Sequence, residues 1–554
     1  MIMIIMIIMM MGMVRSEEKL TIDPYYLTCE FCMFAMDEVH KALEYNFTVD
    51  VLEDFMVGMC TLMEIESYDI CKMAVAAYAP EVMLVLDTRF VTPQEVCNHF
   101  LFCNVSTTVD RDGMVEQTYA ERKKTLKREK EEEEVLDTGY FVQFSDVHVD
   151  ARYVPQTNTK CGTPLCCQAE YGPGDAGKFG NYACDIPELV LLSALEFVAS
   201  ARSTPPVDFL IFTGDNPPHN VWNQSRSQNL AASAAWAEDT RAAFPSSFPV
   251  YPAMGNHESY PCDQFEANHT YWLYDALAQD WASWLDASAQ AQVRTGGYYT
   301  ALIRPGLRLI SLNTMFCDLI NFWLILNVSD PTGQLAFLSQ TLAAAQDAGE
   351  RVYLTGHIPW GNTGCLDDYA HEIELLVLKY ADIIAGQFYG HTHHDSFQVW
   401  STPAKIPAQL GFVCPSLTTF TNINPSFRIY HYDRSTGNVL NYYQYQMNLT
   451  LANEKGAIDW YLYYDAKETY GLADMSPSSF YTLAESMKTN HSLFDLYYTH
   501  FYTGGPHASE PCDAKCVKSN ICSLQNGTPR KTVECTGQSY SLMNIWIDFM
   551  NEVC

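Results

Sequence analysis

Seven potential metal ligands fall in five short blocks of this chain. Asp146 and His148 lie in FSDVH, Asp215 in TGD, Asn256 in GNHE, His357 in TGHIP, and His391 and His393 in GHTHHD. Two divalent cations about 3.5–4 Å apart need one carboxylate shared between them, with imidazole and amide ligands that leave a water facing substrate. Asp215 is the natural bridge. Imidazole together with carboxylate suits zinc, whereas a magnesium site draws mostly on oxygen, so two zinc ions per chain are expected. One Gly-Asp or one His-x-His reads as a turn or a surface histidine. Five such blocks in this order imply two-metal phosphoester chemistry.

The elements that must position these residues are legible around them. Each block closes an apolar, β-rich run, as at Tyr140 to Phe144, Phe209 to Phe212, Val250 to Met254, and Arg351 to Leu354 for the first four. The ligands are therefore expected on loops at strand ends, where α/β sheets place their sites. Strands alternate with helical stretches, such as Pro187 to Arg202 and Asp330 to Ala348, across 138–447. That pattern predicts a two-sheet β-sandwich core flanked by helices, within an α+β/α/β multidomain chain. Residues 448–554 read as a mostly helical C-terminal subdomain packed onto the core. Residues 111–137 read as a charged linker, because Glu121 to Glu134 is almost wholly Arg, Lys and Glu.

Residues 16–110 form a separate, apolar, cysteine-rich segment. Cys29, Cys32, Cys60, Cys71, Cys97 and Cys103 follow the pattern C-x2-C, C-x10-C, C-x5-C. Met33, Met36, Val39, His40 and Leu43 recur at helical spacing, and Pro24 and Pro93 sit where helices would begin. A zinc site is the weaker reading of C-x2-C, because no second C-x2-C answers it.

Nineteen cysteines and eight Asn-x-Ser/Thr sequons (Asn46, Asn104, Asn223, Asn268, Asn327, Asn448, Asn490, Asn526) imply secretory transit through an oxidising compartment. A net charge of −33 argues against nucleic-acid binding, which demands basic surface. Residues 16–110 hold 17 Asp/Glu against 4 Lys/Arg, so an anionic membrane would repel them until carboxylates take up protons. An acidic working pH is therefore expected. Residues 1–15 are apolar but too short for a span and read as a signal-peptide core. No later run is apolar enough to cross a membrane, and the sequence leaves the oligomeric state open.

The text around the blocks carries a resemblance. TGDNPPHNVW, PAMGNHES, GLRLISLNTMFC, TGHIPWGNTGC, GQFYGHTHHDSF and NPSFRIY resemble the calcineurin-like metallophosphoesterases, and within them the acid sphingomyelinase group. The likeness runs from about Tyr140 to the C-terminus. It implies a first zinc on Asp146, His148, Asp215 and His393, and a second on Asp215, Asn256, His357 and His391. It implies His257 as proton donor to the leaving oxygen and His219 as a second active-site histidine, as expulsion of an alkoxide requires. His394 has no counterpart. Glu258 reads equally as a histidine partner or a surface carboxylate. Phe427 stands where the group can have tyrosine, and the headgroup-selective aromatic is expected there.

The N-terminal cysteine spacing is similar to the saposin B-type domain, which implies pairs Cys29–Cys103, Cys32–Cys97 and Cys60–Cys71. The wider resemblance implies Cys161–Cys166, Cys167–Cys184, Cys317–Cys365, Cys512–Cys516 and Cys522–Cys535, leaving Cys262, Cys414 and Cys554. The implied activity is hydrolysis of sphingomyelin to ceramide and phosphocholine by hydroxide attack on phosphorus. The saposin domain would present lipid from an anionic membrane, in the lysosome or outside the cell. The alternatives are a phosphodiesterase for nucleotides or other soluble esters, and a non-catalytic saposin-type lipid-binding protein.

Overall fold

The computed structural model describes residues 13–16, 19–22, 29–44, 49–62, 66–87, 92–99, 110–125, 137–200, 205–266, 269–326 and 329–537. Cys103, Cys554, Asn46, Asn104, Asn268 and Asn327 lie outside the described residues, as does most of the expected signal-peptide core.

A short hairpin, β1 (Met13–Ser16) and β2 (Lys19–Ile22), precedes five helices. These are α1 (Cys29–Glu44), α2 (Val49–Leu62), α3 (Tyr68–Asp87), α4 (Pro93–His99) and α5 (Arg111–Thr125). Two six-stranded mixed sheets follow. The first contains β3 (Thr138–Phe144), β4 (Phe209–Phe212), β5 (Val250–Pro252), β12 (Ser426–Asp433), β13 (Val439–Met447) and β14 (Trp460–Asp465), in the order β14-β13-β12-β3-β4-β5. The second contains β6 (Tyr299–Arg304), β7 (Leu307–Ser311), β8 (Arg351–Thr355), β9 (Ile384–Tyr389), β10 (Ser396–Ser401) and β11 (Pro407–Val413), in the order β10-β11-β9-β8-β7-β6. β3, β4 and β5 run parallel, as do β7, β8, β9 and β11. Their C-terminal ends, where the five blocks begin, therefore gather at one edge of each sheet.

Alternation along β3 shows how the layers are held. Phe141 points between the sheets, its ring 5.3 Å from that of Phe388 and 5.6 Å from that of Tyr353. Val142 and Phe144 point the other way, into a core shared with Val190, Leu195 and Trp236 of the covering helices. Gln143 is fully buried between the sheets and fully used. Its amide donates to the Tyr389 carbonyl at 3.0 Å and to Thr213 at 3.2 Å, and it accepts from Tyr430 at 2.9 Å. A buried polar group of this kind stabilises only when all its bonds are made.

The N-terminal helices are cross-linked by disulfides Cys32–Cys97 and Cys60–Cys71, and Cys29 is disulfide-bonded as well. They lie directly on the sandwich. Ile70 enters a cluster with Tyr153, Leu165 and Trp222, and Tyr78 meets Phe322 edge-on at 6.5 Å. The buried His99 donates from Nε2 to the Leu319 carbonyl at 3.1 Å.

Half of the segment read as a charged linker is a docked helix. Val115 and Tyr119, four residues apart, are buried on one face of α5, while Arg111 pairs with both Asp367 and Asp368. Two apolar residues at helical spacing anchor it, a signal masked by the surrounding charge. At the other end, β14 lies beyond residue 447 and pairs with β13. The helical C-terminal segment is thus tied to the first sheet by backbone hydrogen bonds. Its helices pack Phe480 against Phe397 and Phe412 of the second sheet. Among the described residues, no helix is long and apolar enough to cross a membrane.

Burial pushes the His99 imidazole down to about 4. Between pH 6.5 and 4 the unfolded chain takes up a proton that the folded chain refuses, so stability falls as pH drops through that window, by about 3 kcal/mol at most. Replacing His99 by Gln, which keeps an N–H donor, is expected to remove most of that fall. Urea denaturation of both proteins at several pH values between 7 and 4 checks it, and parallel curves would refute it.

Candidate metal centre

Every one of the seven residues sits on a loop directly after a strand of the two parallel runs. Asp146 and His148 follow β3, Asp215 follows β4, Asn256 follows β5, His357 follows β8, and His391 and His393 follow β9. The backbone there is bent into an unusual shape. Asp146, His148, Asp215, His391 and His393 all have positive φ, between 38° and 70°. Non-glycine residues adopt that region at a cost and only where surrounding structure enforces it. The enforcement is visible: Asp146 N–H donates to the Gly214 carbonyl at 3.0 Å and His148 N–H to the Asp215 carbonyl at 3.1 Å. Glycine serves close approach here, since a Cβ on Gly255 would strike the Asp215 carboxylate and one on Gly390 would strike Ser145.

Glu258 is the staple of this arrangement. It is fully buried, and its carboxylate accepts from the backbone N–H of Gly255 (2.6 Å), Asp215 (3.1 Å) and Asn216 (2.7 Å), and from the Asn216 side chain (2.9 Å). It orients no histidine and faces no solvent. It binds the loop after β4 to the loop after β5.

The donor atoms converge. Asp215 Oδ2 lies 3.0 Å from His357 Nε2 and 3.4 Å from His148 Nε2, so one carboxylate oxygen is flanked by two imidazoles. Asn256 Oδ1 lies 2.9 Å from His357 Nε2 and 3.2 Å from His391 Nδ1. Asp146 Oδ1 lies 3.7 Å from His393 Nε2. Three ring nitrogens are committed elsewhere: Nδ1 of His148, His357 and His393 donate to the carbonyls of Pro217 (2.7 Å), Thr213 (2.7 Å) and Phe420 (2.6 Å). Each Nδ1–H fixes the tautomer and turns the Nε2 lone pair inward. His148 Nε2 is buried with no hydrogen-bond partner. Asn256 is likewise oriented, because its Nδ2 donates to Asp263 at 2.8 Å and leaves Oδ1 for the centre.

Electrostatics agree with a cation-binding site. Burial, above all, lowers His148, His391 and His393 well below the ordinary imidazole range, which keeps them neutral and able to ligate. Burial also holds Asp146 and Asp215 far above the usual carboxylate range. Two carboxylates desolvated side by side, amid lone pairs that all face inward, fit a bound divalent cation.

Two further histidines line the same space. The His219 ring lies 4.0 Å from that of His148 and 5.2 Å from that of His393, and the His257 ring lies 4.7 Å from both His148 and His219. His257 Nδ1 is buried and has no hydrogen-bond partner. His219 is held by Asp185, whose carboxylate accepts from its Nδ1 at 2.8 Å and from its backbone N–H at 2.7 Å. Asp185 is a residue that sequence reasoning passed over. Its one signal was position, directly after Cys184, which is bonded to Cys167.

Disulfides Cys161–Cys166, Cys317–Cys365, Cys512–Cys516 and Cys522–Cys535 complete the described set, while Cys262 and Cys414 are free and buried. Asn223 and Asn490 are exposed, and Asn448 and Asn526 are half-buried. His394 faces away from the centre and stacks on Phe501 at 4.2 Å. Phe427 is corrected: it is fully buried, stacked on Tyr445 at 5.5 Å and packed against Phe144 and Trp460. Lying mid-core on β12, it touches no headgroup.

Two family profiles match the chain: Calcineurin-like phosphoesterase over residues 140–395, and Acid sphingomyelin phosphodiesterase C-terminal region over residues 405–542. The chain is 37% identical to Sphingomyelin phosphodiesterase A of Dictyostelium discoideum, over 92% of this chain and 91% of that protein. It is 34% identical to Sphingomyelin phosphodiesterase of Homo sapiens, over 90% of this chain and 81% of that protein. It is also 34% identical to Cyclic GMP-AMP phosphodiesterase SMPDL3A of Homo sapiens, over 73% of this chain and 91% of that protein.

Removing the staple should loosen the centre. Glu258→Ala is expected to weaken divalent-cation binding by roughly 10–100-fold, the usual effect of losing a group that orients ligands. Calorimetric titration of the metal-stripped protein measures it, and an unchanged affinity would refute the assignment.

Proposed function

Because the chain belongs to the sphingomyelin phosphodiesterase family and is a phosphodiester hydrolase, we propose that it cleaves sphingomyelin to ceramide and phosphocholine at a two-zinc centre. The observation that carries this is the approach of seven candidate donors from five loops, in a chain whose likeness to sphingomyelin phosphodiesterases covers 90% or more of its length. Asp146, His148, Asp215 and His393 would hold one ion, and Asp215, Asn256, His357 and His391 the other. Bound there, the ions would supply Lewis-acid stabilisation of the phosphoryl oxygens and lower the pKa of water at the site.

The chain's own residues supply the rest. His257 has a buried, uncommitted Nδ1 and serves as the proton donor to the leaving ceramide oxygen. His219 stands beside it with Nδ1–H fixed on Asp185, which presents Nε2 to the reacting group.

The N-terminal helices act as a saposin B-type domain that presents lipid. Supporting this, Phe34, Val51, Leu62 and Leu84 are exposed on the disulfide-linked helices, while α3 packs on residues 221–223, immediately after His219. A peripheral encounter with an anionic membrane in the lysosome or outside the cell follows, consistent with seven described disulfides. A soluble nucleotide-type substrate is the second reading, favoured by the likeness to the cyclic GMP-AMP phosphodiesterase.

Hydrolysis of sphingomyelin in anionic liposomes at about pH 5, where imidazole ligation and carboxylate protonation both matter, decides between them. Chelator-sensitive turnover that drops in a Leu62→Asp, Leu84→Asp double variant, with a soluble chromogenic phosphodiester cleaved as before, supports the lipid reading. Activity on the soluble ester alone would overturn it. Asp185→Asn is expected to lower kcat on the soluble ester by about 10–100-fold with KM little changed, as loss of a positioning partner does. A rise in KM at constant kcat would instead place Asp185 in substrate binding.

A further inference from the structure

Directly after supplying Asn256, the chain turns back on it. The Asp263 N–H donates to the Asn256 carbonyl at 3.1 Å, and Asp263 Oδ1 accepts from Asn256 Nδ2 at 2.8 Å. Asp263 holds φ at 67°, a left-handed conformation that a side chain adopts only where its surroundings enforce it. The enforcement comes from a strap of chain at 318–322. Gln264 Nε2 donates to the Ile320 carbonyl at 2.9 Å, and the Phe265 N–H and carbonyl bond to the Asn321 side chain at 3.2 and 3.0 Å.

Asp318, the first residue of that strap, has its carboxyl hydrogen-bonded to that of Asp263. Both side chains are buried. Two ionised carboxylates are acceptors alone, so this bond needs a proton on one of them. The surroundings decide which. Asp263 also meets the Asn256 amide and the Cys262 thiol, two further donors, whereas Asp318 meets the Ile320 N–H at 2.9 Å. The proton belongs on the carboxyl with fewer donors. Burial, and then the Asp263 charge, accordingly hold Asp318 far above the usual carboxylate range.

Asp263 is therefore a pure acceptor, and that fixes the sense of the Asn256 amide. Facing an acceptor, the amide gives Nδ2 to Asp263 and keeps Oδ1, its ligating atom, for the centre. Facing a donor, it would turn over and present N–H groups there instead.

We propose that Asp318, acting through Asp263, sets the affinity of one of the two cations and not of the other, an inference that rests on the two-ion reading above. Asn256 shares its proposed ion with His357, and Asp318 reaches the His357 loop as well, through its bridge to Cys365 and the adjacent Cys317–Cys365 bond. The residues proposed for the other ion alone take their support elsewhere. Ser145 donates to Asp146, while His148 and His393 are held by the Pro217 and Phe420 carbonyls. Asp318 and Asp263 are thus positioning residues, which act through a ligand.

The test is calorimetric titration of the metal-stripped, full-length protein with zinc. The wild type is expected to bind in two steps, and the step lost in Asn256→Ala is the one in question. Asp318→Leu, which removes the donor to Asp263, should weaken that step by roughly 10–100-fold and leave the other unchanged. Asp318→Asn, which replaces a protonated carboxyl by an amide that still donates, should keep wild-type affinity in both. Asp263→Gly, which removes the acceptor and suits the left-handed backbone, should weaken the same step as Asp318→Leu. Circular dichroism checks that each variant is folded. An unchanged isotherm in Asp318→Leu and Asp263→Gly overturns the proposal, as does equal weakening of both steps, which marks general loosening. Asp318→Asn as weak as Asp318→Leu overturns it too, since Asp318 would then act as an ionised carboxylate. Wild-type protein that binds a single zinc removes the two-ion reading itself, a failure visible before any variant is compared.

Discussion

The structure is organised around one electrostatic constraint: Asp146 and Asp215 are fully buried close together, among imidazoles. Carboxylates in that position are expensive unless something positive lies between them. The imidazoles of His148, His391 and His393 could answer by protonating, yet burial opposes that, and the Nδ1–H bonds of His148, His357 and His393 to carbonyls turn their Nε2 atoms inward. What remains is a cage of inward-facing carboxylates and imidazoles, a donor set that suits a divalent cation. The positive φ values, the glycines without room for a Cβ, and the Glu258 staple all follow from the need to hold that cage open.

The cage demands rigidity from the scaffold, and the two sheets provide it. Parallel strands of both sheets end at the site, so small relative movements of the layers would displace ligands of one sheet from those of the other. Gln143 opposes this directly, because it bonds β3 to Tyr389 at the end of β9 and to Tyr430 on β12. The aromatic stack around Phe141 fills the space between the layers with rings that pack at 4.7–5.6 Å. The Cys317–Cys365 bond ties the loop after β7 to the loop after β8, which carries His357.

Much of this was legible because it was local. A strand-end position directly after an apolar β-run can be read from a few residues, and Asp146, Asp215, Asn256 and His357 all stand where that reading put them. Partners distant in sequence were not legible. Asp185 meets His219 across 34 residues, and Glu258 reaches back 43 residues to Asp215, with no spacing rule to announce either. Phe427 was misplaced for the opposite reason: its motif suggested the site, but strand alternation on β12 turns it into the core. The α5 helix was missed because two apolar residues carry its docking and the charges around them carry none. β14 lay past the boundary drawn at 447 because an aromatic-rich strand and an aromatic-rich helix look alike over six residues.

Acidity sets the working range of such a centre from two sides. As pH falls, protons compete with cations for carboxylates that burial has made unusually basic, and Glu258, pushed up to about 7, begins to protonate as well. A protonated Glu258 loses acceptor strength toward the four N–H groups that it joins, so the loops loosen under the same conditions in which the ligands are being titrated. The histidines counteract this, because burial keeps those with lowered pKa values neutral to well below their ordinary range. Desolvation thus raises the acids and lowers the bases toward each other. The result is a donor set whose lowered histidines stay neutral while its carboxylates take up protons, with a bound cation suppressing protonation of whatever it contacts. Deep burial thus has two effects, keeping these histidines neutral while making the carboxylates unfavourable without a cation.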